Sequence, residues 1–181
     1  MEILLSLVVV FLSYLIGSIP FGLLIVKAAT GKDIRQVESG RTGGTNAFRA
    51  AGIFAGAGTA VLDFFKGFIA VYLARWLIGW QFPGAEWSVW VEVIAPIAAI
   101  LGHNYSIFLR ERDENGKLRL RGGAGGATGV GGAAGIWFPS ALFIIPIGLF
   151  ILFVVVYASL ATMSFAIVAI GVFAYRAIFL N

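Results

Sequence analysis

The sequence has no cysteine, one histidine and five prolines among 181 residues, and only 12% of it is charged. Without cysteine there is no disulfide, no thiolate nucleophile and no cysteine-based metal site. The lone histidine, His103, argues against the multi-histidine ligand sets of zinc sites, and no metal or other cofactor is expected. No Gly-x-Ser-x-Gly elbow marks a serine hydrolase. No Gly-Lys-Ser/Thr follows the glycines at the spacing of a Walker A loop. An intramembrane row of acids, the mark of a proton relay, is missing, as is a paired half-chain repeat of broken helices. No polar stretch is long enough for a sizeable soluble domain, and nothing points to nucleic acid as a partner.

What remains is oil. The chain is 60% hydrophobic with a mean hydropathy of +0.95, and the excess lies in runs, which is a membrane signal. Ile3 to Val26 has no charged residue and exceeds the ~20 residues that cross a bilayer. Its acidic start at Glu2 and its length distinguish it from a signal peptide, so it reads as a retained helix. Two basic stretches, 27–49 and 110–121, flank the oily zones, whereas 81–87 carries no Lys or Arg. Basic loops favour the cytoplasm. This predicts an all-α polytopic membrane bundle, one membrane-embedded domain over 1–181. Its five full spans fall at about 3–27, 52–79, 88–109, 137–157 and 160–179. The zones 50–66 and 122–135 are candidates for short or re-entrant helices, for up to seven. The N-terminus then lies outside and the C-terminus, beside Arg176, inside. Asn115-Gly116 followed by the alternation Lys117 to Arg121 predicts a small β-hairpin. Glu86 and Glu92 are read as solvated near the outer surface.

Four polar constellations carry candidate chemistry. "SGRTGGTNAFRAAG", Ser39–Gly52, combines Gly40, Gly43 and Gly44 with Ser39, Thr42, Thr45, Asn46, Arg41 and Arg49. Glycines, hydroxyls and guanidinium groups at a helix start suit an oxyanion such as phosphate; the alternative is a turn with topology-setting arginines. "RGGAGGATGVGG", Arg121–Gly132, offers a second phosphate wrap, with Arg121 as counter-charge and Thr128 as donor. Its alternative is close packing of membrane helices. In "LGHNYS", Leu101–Ser106, His103 is either a proton acceptor or phosphate ligand or a satisfied interfacial histidine. Asp63 and Lys66, at i and i+3 in "LDFFKG", share a helical face and can pair, structurally or functionally. His103 has no aspartate five residues on, where His-x-x-x-x-Asp acyltransferases carry one.

Taken in order, "GSIPFG" (Gly17–Gly22), "SGRTGGTNAFRAAG", "LDFFKG", "GHNYSIF" (Gly102–Phe108) and "RGGAGGAT" (Arg121–Thr128) resemble the motifs of the bacterial acyl-phosphate:glycerol-3-phosphate acyltransferases, the PlsY family. The resemblance covers most of the chain. It implies transfer of a fatty acyl group from acyl phosphate to the sn-1 hydroxyl of glycerol 3-phosphate, giving lysophosphatidic acid and phosphate. It also implies a multi-pass protein of the bacterial inner membrane with its site facing the cytoplasm, and the bilayer as a partner. By the resemblance, Ser39, Arg49 and His103 are the catalytic candidates. Gly40, Gly43, Thr45, Asn46, Asp63, Lys66, Asn104, Ser106, Arg121, Gly122, Gly123, Gly125 and Thr128 bind substrate. Two departures stand out. Ala124 occupies the lysine position of the family's Gly-Gly-Lys-Gly, and Ala177 follows Arg176 where the family often has Arg-His. A missing lysine weakens phosphate binding unless Arg121 or Lys66 takes its place. A small transporter or channel, a packing scaffold, and an acyl-CoA-dependent acyltransferase remain as alternatives.

Overall fold

The computed structural model describes residues 1–112, 114–155 and 157–180. The helices are α1 (Glu2–Ser18), α2 (Phe21–Thr30), α3 (Gly44–Gln81), α4 (Ser88–Asn104), α5 (Gly126–Ile136), α6 (Ser140–Phe150) and α7 (Ala158–Phe179). A π turn, Ile151–Val155, extends α6. Three stretches are long and apolar enough to cross a membrane, Glu2–Thr30, Ser88–Leu109 and Ala158–Phe179; Ser140–Val155 is a shorter apolar one. Each expected span therefore has a helical counterpart, and the zone 122–135 supplies the short helix α5. The β-hairpin is present: β1 (Arg110–Arg112) pairs antiparallel with β2 (Leu118–Leu120), Arg110 opposite Leu120 and Arg112 opposite Leu118.

Two breaks depart from the spans as drawn. The first span is not one helix over 3–27, because it breaks at Ile19–Pro20. Proline lacks an N–H and pushes its predecessor out of the α region, and Ile19 is extended, with ψ 118°. Within α3, Gly52 has φ 82° and ψ −173°, a conformation open essentially to glycine alone. It folds the first two turns back on the rest: a Cβ on Gly44 would meet the Gly56 carbonyl and Ala60, and one on Gly56 would meet Phe48. The start of α3 is thereby set beside Ala60, one turn from Asp63.

In lipid there is no hydrophobic force between helices, so association rests on close packing of small residues. The seams are glycine contacts. A Cβ on Gly17 would collide with the Ala99 carbonyl and one on Gly102 with that of Tyr14, which locks α1 to α4. On the other side, Gly67 abuts the Thr128 carbonyl and Gly131 that of Phe64, which locks α3 to α5. Far from the loops, Val9, Ala70, Ala74, Ile78, Val91, Ala95 and Ala99 form a buried apolar cluster.

The last three helices correct the expected topology. Gly126 and Gly148 both pack on Phe165, Trp137 meets Phe173 edge-on, and Arg176 lies over the Trp137 ring at 5.3 Å. So α7 runs parallel to α5, away from the glycine loop. Arg176 sits at the end of the bundle opposite the basic loops, against the expectation that they share a side. The cause is α5, a segment the five-span count left out. Glu92 is likewise not simply solvated: it accepts from Arg75 Nε at 2.6 Å, while Arg75 donates to the Gly135 and Ile136 carbonyls at 2.7 and 3.1 Å. Arg75 thus caps the C-terminal carbonyls of α5.

Gly67→Val tests the seam. Thermal unfolding in detergent should show a loss of about 1–3 kcal/mol, the usual penalty of overpacking. Gly79→Val, at a position with nothing within 4 Å, should stay within about 0.5 kcal/mol.

Candidate active site

The two glycine-rich segments, some eighty residues apart in sequence, meet. The Thr42 N–H donates to the Gly122 carbonyl at 3.3 Å. Arg121 Nη1 comes within 3.4 Å of where a Cβ on Gly40 would stand; Gly40 has φ 65°. Glu111 on the hairpin bridges them, accepting from Arg35 Nη1 at 2.7 Å and lying 3.2 Å from Arg121 Nε. Arg35 also binds Asp33 through Nε at 2.9 Å. Those hydrogen bonds hold the Asp33 carboxyl below its usual range and raise Arg35 in turn.

Asn46 is buried and shapes the first loop. Its Nδ2 donates toward the carbonyls of Ile34, Val37 and Arg41 at 3.1, 2.9 and 2.8 Å. Its Nδ2 thus holds the loop in shape, while its buried Oδ1 has no partner among the described residues. Ser106 is similar. Its Oγ donates to the Ser18 carbonyl at 2.6 Å and accepts from the Phe108 N–H at 3.2 Å, and it is 1% exposed. Through these bonds both side chains brace the loops.

Ser39 and Arg49 are exposed. Ser39 Oγ accepts weakly from the Arg41 N–H at 3.4 Å, and Arg49 has no ion pair among the described residues, so both are open to a ligand. Gly43 caps α3, and Thr45 lies in its first turn, where backbone N–H groups lack intrahelical partners. Gly125, at φ 79°, caps α5, so Gly126, Ala127 and Thr128 present the same kind of donors. Both helix starts favour anions. Thr128 Oγ1 and Asn104 Oδ1 are buried without a partner, and Asn104 Oδ1 lies 2.9 Å from where a Cβ on Gly125 would stand.

Beneath the loops lies a knot of buried charge. Asp63 and Lys66 are 1% and 2% exposed, and Lys66 Nζ stands 2.7 Å from Asp63 Oδ1. The contact is an ion pair by distance, although Oδ1 receives no aligned hydrogen bond. Lys66 Nζ is also 3.3 Å from His103 Nδ1 and 4.9 Å from the centre of the Phe21 ring. Gly123 closes the other side: its N–H donates to the His103 carbonyl at 2.9 Å, and a Cβ there would strike the imidazole at Nε2. Gly122 is pressed against the His103 carbonyl in the same way. Asp63, Lys66, His103, Gly122 and Gly123 therefore form one unit. Arg121, half-exposed, is paired with Glu111.

Sequence reasoning missed Thr42, 3% exposed, as the link between loops, and missed Glu111 and Arg35 as their clamp. Nothing local marks such pairs: Arg35 and Glu111 are 76 residues apart.

The family profile described as glycerol-3-phosphate acyltransferase matches residues 7–180. A glycerol-3-phosphate acyltransferase of Thermosynechococcus vestitus is 38% identical over 158 residues, 86% of this chain and 71% of that protein. Crystal structures of PlsY (YgiH), an integral membrane glycerol 3-phosphate acyltransferase, superpose on 96% of this chain and 78% of theirs. The glycerol 3-phosphate form gives a TM-score of 0.76 at 34% identity, and the lysophosphatidic acid form 0.71 at 32%. A membrane-spanning helical bundle with these motifs in this order and a profile match over nearly its whole length belongs to the glycerol-3-phosphate acyltransferase family.

Proposed function

We propose that this chain transfers a fatty acyl group from acyl phosphate to the sn-1 hydroxyl of glycerol 3-phosphate, releasing lysophosphatidic acid and phosphate. The observation that carries the reading is the meeting of two donor-rich glycine loops over one buried, charge-paired Asp63–Lys66–His103 cluster, joined by the Thr42–Gly122 hydrogen bond. Two loops suit a reaction whose two substrates each bear a phosphate. The relatives' ligands, glycerol 3-phosphate and lysophosphatidic acid in the two PlsY crystal forms, fit the acceptor and product.

The chemistry asks little of the side chains beyond placement. Acyl phosphate is a mixed anhydride with a good leaving group, so no covalent enzyme intermediate is required, and the chain has no cysteine to form a thioester. The glycerol hydroxyl oxygen attacks the acyl carbon, the bond from that carbon to the phosphate oxygen breaks, and the proton passes to a phosphate oxygen of the donor. Holding the reactants in contact and stabilising the oxyanion with backbone donors supply the rate. Arg49 and Ser39, exposed and unclaimed, bind the acceptor's phosphate together with the N–H groups at the start of α3. The Gly122–Gly125 loop and the start of α5 bind the donor's phosphate, and the acyl chain enters between helices from the bilayer. The loops face the cytoplasm of a bacterial inner membrane, in keeping with their basic charge.

Purified protein offered acyl phosphate and acyl-CoA in parallel should release phosphate from acyl phosphate only when glycerol 3-phosphate is present. Use of acyl-CoA alone would overturn the donor assignment. Arg49→Ala should lower kcat/KM by about 100-fold or more, the scale of a lost charge-stabilising donor; an unchanged value would remove Arg49 from the site. His103→Ala should raise KM while leaving kcat within about tenfold, because loss of an essential base would instead cut kcat by about 100- to 10,000-fold.

A further inference from the structure

His103 is the only histidine, and its Nδ1 edge faces an ammonium group. Lys66 Nζ is 3.3 Å away; Asp63 Oδ1, the other group at that edge, stands farther off at 3.5 Å and is already paired with Lys66 at 2.7 Å. An ammonium carries three donors and no lone pair. A proton on Nδ1 would point at another donor, whereas a lone pair there accepts from Lys66. The neutral ring must then carry its proton on Nε2. On that side lies Gly123, whose absent side chain leaves the room that the ring edge occupies, and no protein acceptor meets Nε2 among the described residues.

We propose that Lys66, anchored by Asp63, fixes His103 as the Nε2–H tautomer, so that the ring offers a hydrogen-bond donor, not a base, to a phosphate held on the Gly122–Gly125 loop. The second half rests on the functional reading above; the tautomer does not. Lys66 and Asp63 are then positioning residues. The phosphate pocket then gains Nε2–H as a donor beside the loop amides and the start of α5. With no lone pair on the substrate side, His103 cannot take the hydroxyl proton, which leaves the donor phosphate as its acceptor.

The single histidine makes the test direct. Protein labelled with 15N-histidine, in detergent at neutral pH, should give one pair of ring signals with the proton on Nε2. Adding inorganic phosphate or glycerol 3-phosphate should move the Nε2 signal more than the Nδ1 signal. Lys66→Met should shift the proton to Nδ1, where the Asp63 carboxylate becomes its acceptor, and Lys66→Arg, which keeps a donor, should preserve the Nε2–H form. A wild-type ring protonated on Nδ1, or on both nitrogens, overturns the tautomer assignment, as does an unchanged ring in a folded Lys66→Met protein. Should that variant fail to fold, the wild-type spectrum still decides. An Nε2 signal indifferent to both phosphates overturns the donor role. A protein with this tautomer and phosphate response that transfers no acyl group from any donor would sink the functional reading and leave the tautomer assignment standing.

Discussion

Backbone contact at glycine is the constraint on which the rest of this structure depends. Within a bilayer, apolar side chains gain little by leaving lipid for one another, so helices must approach closely enough for dispersion to hold them. Gly17 and Gly102 bring α1 onto α4, and Gly67 and Gly131 bring α3 onto α5. These contacts fix the helices along their length as well as side by side, since each glycine receives one carbonyl. The site inherits that register. Asp63 and Lys66 lie between Gly56 and Gly67 on α3, His103 follows Gly102 on α4, and Thr128 is the residue against which Gly67 packs.

The charged knot is tolerable only because it is assembled from both helices at once. Isolated charges in a membrane interior are costly, and breaking a buried pair by removing one partner typically destabilises by about 3–5 kcal/mol. Asp63 and Lys66 neutralise one another, Phe21 covers the ammonium, and His103 Nδ1 stands beside it. Such a pair contributes little net stability compared with apolar residues of the same volume. What it supplies is orientation of the ring that lies under the second glycine loop. Arg75 plays a comparable part at the far end of α5, holding that short helix by its last two carbonyls while Glu92 balances the charge.

How much of this was legible beforehand differs by the range of the interaction. The hydrophobic runs, the hairpin at Asn115-Gly116 and a helix start near Asn46 follow from local chemistry and appear where expected, whereas the break at Ile19–Pro20 interrupts a span drawn as continuous over 3–27. The Asp63–Lys66 pair was readable from its i, i+3 spacing. The reversal at Gly52 was not, because a glycine in a helical pattern is equally compatible with a straight helix and its turn is enforced by the packing of Gly44 and Gly56. The bracing bonds of Asn46 and Ser106 were equally hidden: only their three-dimensional neighbours, carbonyls from distant or irregular segments, reveal what Asn46 Nδ2 and Ser106 Oγ meet.

The sequence by itself determined that this is a helical membrane protein, where its oily segments lie, which family's motifs it bears, and which polar residues have no reason to be there except chemistry or bracing. Composition and periodicity suffice for that, since the bilayer allows few solutions to a chain of this kind. Tertiary structure alone decided that the loops around Thr42 and Gly122 touch, that α5 turns the C-terminal helix to the opposite end, and which face of His103 meets Lys66. Those outcomes depend on contacts between residues dozens of positions apart, and no local preference of the chain encodes which partner a side chain will meet.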